Sequence, residues 1–138
     1  MKITKQLFSS SLLTALIVGM ASFPAVAQEY VPKVQKNVLH QAPLPGIDGK
    51  EMTVVHFGIP AEYVGGKHMH PGPVFVYVLE GELTVELGGE TKTFKTGELY
   101  VEDIDQAMVG KNLSSTDDLE ILVFQVGDIG KPMMIKVE

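Results

Sequence analysis

At 138 residues the chain has room for one domain and little else. Its composition, 45% hydrophobic and 20% charged, is that of a folded globular chain, neither disordered nor built of repeated membrane spans. Cysteine and arginine are absent and 17 acidic residues face 11 lysines, for a net charge of −6. That excludes disulfides, thiolate chemistry, cysteine-type zinc sites and bidentate guanidinium clamps, and it disfavours nucleic acid as a partner.

Lys2 and Lys5 precede a mostly apolar run from Leu7 to Phe23, which Pro24-Ala25-Val26-Ala27 closes with the small-x-small pattern of an export leader. The run is short against the roughly 20 residues of a membrane span. The expectation is cleavage near Ala27 and a periplasmic or secreted chain without a stable membrane anchor; an uncleaved anchor is the alternative. Residues 28–50, with Pro32, Pro43, Pro45 and Gly46, read as an N-terminal arm. Such an arm ahead of a small barrel can pair with a neighbour's sheet edge, which predicts a homodimer.

From residue 51 on, short segments rich in Val, Ile, Phe, Tyr and Thr alternate with Gly and Pro, and no helical period appears. Strands are predicted at Met52–Ile59, Lys67–His70, Val74–Glu80, Glu82–Leu87, Glu90–Lys95, Glu98–Glu102, Asp105–Lys111 and Leu119–Val126. Gly88-Gly89 is a two-residue hairpin link, Asn112–Asp118 a polar loop and 128–138 a tail. Closely spaced strands without crossover helices make an antiparallel sandwich, jelly roll or small barrel over residues 51–138.

His68-Met69-His70 carries the sharpest chemical signal. On a strand the two imidazoles share a face, with Met69 opposite, and can grip one metal ion. A pair of solvated histidines at a loop edge is the plain alternative. No nucleophile motif or phosphate cradle accompanies the pair.

The stretch from His68 through Pro71-Gly72-Pro73 and Tyr77-Val78-Leu79-Glu80 to Gly81 resembles the first motif of the cupin superfamily, H-x-H-x(3–4)-E-x(6)-G. Gly97 to Asn112 is similar to the second, G-x(5)-P-x-G-x(2)-H-x(3)-N. The resemblance spans about Val38 to Val126. It implies an all-β double-stranded β-helix, a small jelly-roll cupin barrel, commonly dimeric. It also implies a divalent metal held by three His and one Glu in many members, and functions from oxygenase and isomerase to non-catalytic binder.

The departures bear on the site. Val74 stands where the family has its Glu ligand and Met108 where it has its third His, while Asp103 and Asp105 replace the Pro and Gly of the second motif. His68 and His70 remain, and Met108 would add a soft thioether suited to copper, or would simply fill the core. Met69, Met133 and Met134 are further sulfur sources.

Glu80, Gln106, Gln125 and His56 are the groups that could replace the missing ligands. Tyr63 and Tyr100 are possible donors at the barrel mouth or plain packing aromatics, and His40 lies in the arm. Glu102, Asp103, Asp105, Asp117 and Asp118 read as two solvated acidic loop clusters.

Three functions fit. The first is an exported cupin that binds a divalent transition metal, copper included, or a small ligand through His68, His70 and Met108. The second is a metal-dependent oxygenase or isomerase acting on a small organic substrate. The third is a metal-free binder whose pocket is lined by Val74, Val76, Val78 and Met108.

Overall fold

The computed structural model describes residues 32–138. The leader expected over residues 1–27 lies outside them. Among the described residues there is no helix, and so none long and apolar enough to cross a membrane. Eleven strands run β1 (Gln35–Pro43), β2 (Lys50–Ile59), β3 (Tyr63–Val64), β4 (His68–Met69), β5 (Val74–Glu80), β6 (Glu82–Leu87), β7 (Glu90–Lys95), β8 (Leu99–Glu102), β9 (Met108–Asn112), β10 (Leu119–Asp128) and β11 (Ile135–Lys136).

They form two antiparallel sheets in the expected jelly-roll manner. The first has the order β1-β2-β10-β5-β8 and the second β11-β4-β9-β6-β7, with β3 added on β9. Between them lies a core of Val74, Val76, Val78, Tyr100, Leu119, Ile121 and Val123 from the first sheet and Leu83, Val85 and Met108 from the second. β-Branched side chains dominate because they suit a pleated, buried surface. β5 shows the period of two directly: Val74, Val76 and Val78 are buried while Phe75, Tyr77 and Leu79 are exposed.

Local chemistry sets the connections. Gly88 and Gly89 both have positive φ, 59° and 88°, as the tight link from β6 to β7 requires. Gly72 lies so close to β10 that a Cβ would run into the Val126 carbonyl, and Val126 N–H donates to Pro73 O at 3.2 Å. This contact fixes the chain between His70 and β5.

Asn112, 1% exposed, donates from Nδ2 to Ile59 O, Pro60 O and Asp117 O and accepts from Ser114 N–H at 3.1 Å, which pins the 113–118 loop.

Three expectations change. Residues 35–43 of the expected arm are β1, hydrogen-bonded to the chain's own β2. The strand expected over Asp105–Lys111 starts only at Met108, because Asp105 turns the backbone at φ 59°. The tail returns as β11 and pairs with β4 beside the histidines.

Candidate metal centre

Two strand rows face each other at one end of the barrel. In the first sheet Gln41, Thr53, Gln125, Val74 and Glu102 are successive cross-strand partners and therefore share the inner face. In the second sheet His68 pairs with Met108, and Met108 with Leu87. His70 follows His68 by two residues, and the rings meet edge to face with centroids 5.1 Å apart.

Both histidines are oriented by backbone carbonyls. His68 Nδ1 lies 2.8 Å from Gly66 O, and His70 Nδ1 lies 2.7 Å from Met133 O. A carbonyl oxygen only accepts, so each Nδ1 carries a proton and Nε2 is the ring nitrogen that these two bonds leave free. A ring nitrogen anchored in this way is the usual second partner of a metal-bound histidine. The backbone of His70 is held as well, its carbonyl accepting from Asp105 N–H at 2.9 Å.

Glu102, which the sequence places among solvated loop acids, instead ends β8 with its side chain turned inward. It is 9% exposed, and its Oε2 lies 3.1 Å from His70 Nε2. The contact lacks the alignment of a hydrogen bond. Among the described residues Glu102 Oε2 is the only buried side-chain oxygen or nitrogen without a hydrogen-bond partner.

Burial pushes the Glu102 carboxyl up to about 7. Burial also holds His70 below its ordinary value, an effect that the Met133 carbonyl opposes and His68 reinforces. The spacing alone would suggest an ion pair, but both shifts favour the uncharged forms, so the contact is better described as a neutral acid beside a neutral imidazole. Tyr100, pushed up to about 12 by burial with Glu102 and Asp103 nearby, stays protonated and stacks on Phe94 with ring centroids 4.6 Å apart.

The remaining candidates separate cleanly. Met108 is 5% exposed in the core and shares the face of His68 across the strand pair. Gln125, 3% exposed, spends its Nε2 on Met133 O at 2.7 Å. Glu80 and Gln106 are exposed, and His56 lies on the outer face 3.3 Å from Glu120. Position 74 presents only a buried valine, but its cross-strand neighbour is Glu102, so a carboxylate is present one strand away from where the motif would have it.

As the side chains stand, no three His, Asp or Glu residues among those described converge into a metal cluster. His70 is in reach of both His68 and Glu102. Ligands at about 2.1 Å from one ion and about 90° apart lie about 3.0 Å from each other, close to the His70–Glu102 spacing. The orphaned carboxylate oxygen and the two Nε2 atoms are the donors that would hold a metal ion here.

Comparison with known proteins agrees with this architecture. A family profile described as a cupin domain matches residues 55–124. No curated protein matches the chain. Among solved structures, a cupin superfamily protein from Desulfitobacterium hafniense superposes with a TM-score of 0.60 at 11% identity, over 74% of this chain and 84% of that one. A Klebsiella pneumoniae protein with a double-stranded β-helix domain gives 0.60 at 18%, over 80% and 90%. KdgF from Halomonas sp. gives 0.55 at 24%, over 71% and 84%. At these identities the likeness concerns the fold alone.

Proposed function

The chain belongs to the cupin family, and from that premise we propose that it is a metal-binding cupin that holds one divalent first-row ion through His68, His70 and Glu102 and offers the ion's open positions to a small organic ligand. One observation carries the reading: two Nε2 lone pairs, each left free by an Nδ1–carbonyl bond, stand with a buried, unpartnered carboxylate oxygen. Two imidazoles and one carboxylate suit borderline first-row ions, and such a set leaves sites for water or substrate. When bound, the ion would supply Lewis acidity toward an oxygen ligand.

The chain's own residues do the rest. Gly66 and Met133 orient the rings, Asp105 holds the His70 backbone, and Val74 and Val76 supply apolar surroundings on the inner face.

The test is metal content of protein purified without chelator, followed by titration of the stripped protein with zinc, manganese, nickel and copper ions. Near-stoichiometric uptake, lost in His68→Ala and His70→Ala while the fold persists, is the expected result. A stripped protein that takes up no ion at micromolar concentration overturns the reading.

A second copy of the chain is the partner this reading favours. The outer face of β10, β5 and β8 aligns Phe124, Phe75 and Val101 in one row and Leu122, Tyr77 and Leu99 in the next. Export belongs to the same proposal. A native chain whose first residue is Gln28 is the outcome expected from N-terminal sequencing, and one starting at Met1 would remove it.

A further inference from the structure

We propose that the barrel mouth holds a second site, separate from the histidines, that binds the carboxylate of a small hydroxylated organic acid between Lys36 and Lys131. The mouth is divided by the returning C-terminal segment, whose Met133 carbonyl lies within hydrogen-bond distance of both His70 Nδ1 and Gln125 Nε2, each at 2.7 Å. A cavity of about 150 Å³ adjoins Gln125 and Met133, and none of His68, His70 and Glu102 lines it.

The cavity exists because β1 overhangs. Val38 is the register partner of Val55 and shares its face, yet Val38 is 48% exposed where Val55 is fully buried. The facing layer leaves the inner side of β1 uncovered. What lies there is a short apolar floor ringed by polar groups, with Gln41, Thr53 and Gln125 as neutral hydrogen-bonding side chains.

Charge selects the ligand. The chain as a whole is at −6, but two lysines line this one cavity. Neither lies within ion-pair distance of a carboxylate among the described residues; Asp128, at the end of β10, is paired with Lys50 and also feels the charge of Lys131. The one carboxylate of the lining, Glu51, accepts a hydrogen bond from Gln41 Nε2 at 3.1 Å. Unpaired ammonium groups in a concave site raise the local concentration of anions against the repulsion of an acidic surface. The amides, the threonine hydroxyl and Glu51 can meet hydroxyl groups on the rest of the ligand. A cavity near 150 Å³ admits a molecule of roughly benzene size, about six non-hydrogen atoms. A three- or four-carbon hydroxy acid satisfies all three conditions.

The test uses the metal-free protein at low ionic strength, with sodium lactate as the probe and lactamide as its neutral isostere. Amide chemical shifts of isotope-labelled protein are followed during titration. Saturable lactate shifts confined to β1, β2 and residues 125–133 are expected, with lactamide at least tenfold weaker. Lys131→Gln and Lys36→Gln should each weaken lactate about tenfold, and Lys36→Arg should restore most of the affinity. Lys92→Gln, an exposed lysine outside the cavity, should leave it unchanged, and because the titration uses metal-free protein this site and the metal centre fail or stand separately. Equal binding of lactamide and lactate overturns the proposal, as does absence of saturation by lactate in the unsubstituted protein.

Discussion

The first sheet behaves differently on its two faces. At the mouth of the barrel its inner face carries Thr53, Gln125 and Glu102, with Gln125 and Glu102 buried. Its outer face carries Phe75, Tyr77, Leu79, Leu99 and Val101, each between 37% and 54% exposed. A sheet with one solvated face ordinarily keeps its apolar residues inside and its polar ones out. Here the inversion is local: deeper in the barrel Val76, Val78, Val123 and Ile121 restore an apolar interior. The polar groups turned inward at one end are those of the proposed metal centre, and the apolar groups left outward over three adjacent strands form the face proposed for a second copy.

The depth of the inner face gives the largest expected contrast. Leu119, fully buried, should cost about 2–5 kcal/mol when replaced by alanine. Leu99→Ala on the outer face, where Leu99 is 54% exposed, should change monomer stability by about 0.5 kcal/mol or less. Urea denaturation of the two variants checks this; similar losses would mean that the outer face is already buried within one chain.

The outer face itself is tested next. Phe75→Glu combined with Tyr77→Glu should raise the dimer dissociation constant at least 100-fold, read by sedimentation across a concentration series. An unsubstituted protein that sediments as a monomer at micromolar concentration would show that a second copy does not cover this face.

The inverted end of the inner face is only partly legible in the sequence. The hairpin at Gly88-Gly89 and the alternation of Val74, Val76 and Val78 follow from local chemistry, and so does the placing of His68 and His70 on one face. Glu102 is not legible, because β8 reads Leu-Tyr-Val-Glu and burial of its aliphatic members would turn Glu102 outward. The structure buries Tyr100 and Glu102 and exposes Leu99 and Val101, a choice set by the partner strand β5 rather than by β8. β1 is equally obscure. Its inner positions Lys36, Val38 and Gln41 show no apolar alternation, since the facing layer does not cover them. β11 is two residues long, too short for any period to show.

Glu102 also sharpens the comparison through pH. Its folded value of about 7 lies above the ordinary carboxylate value, so the native state binds the proton more tightly than the unfolded chain. In metal-free protein this carboxyl's contribution to stability is therefore fully present below about pH 4.5 and lost as pH rises toward 7 and beyond. Glu102→Gln removes that penalty and leaves the opposite dependence of His70 in both proteins. The variant should be more stable than the unsubstituted protein by about 1–3 kcal/mol at about pH 8 and nearly equal to it at about pH 5, in urea titrations with chelator present. It should also bind divalent ions at least tenfold more weakly. A variant less stable at the higher pH would show that the carboxylate is held for structure and not for an ion.

Met108 gives the smallest effect and separates the two donor sets around His68. It is 5% exposed, packed with Leu87 and opposite His68 on the inner face of the second sheet. Methionine and leucine differ little in volume, so Met108→Leu should cost less than about 1.5 kcal/mol and leave the fold intact. If Glu102 completes the site, zinc or nickel affinity in this variant stays within about threefold of the unsubstituted protein, because a thioether adds little to a borderline ion. If the thioether is a working ligand, the loss falls on Cu(I), whose preference is for soft sulfur. Titrating both ions into Met108→Leu and Glu102→Gln therefore yields opposite patterns. A carboxylate site loses the divalent ion in Glu102→Gln and keeps it in Met108→Leu, while a copper site keeps Cu(I) in Glu102→Gln and loses it in Met108→Leu.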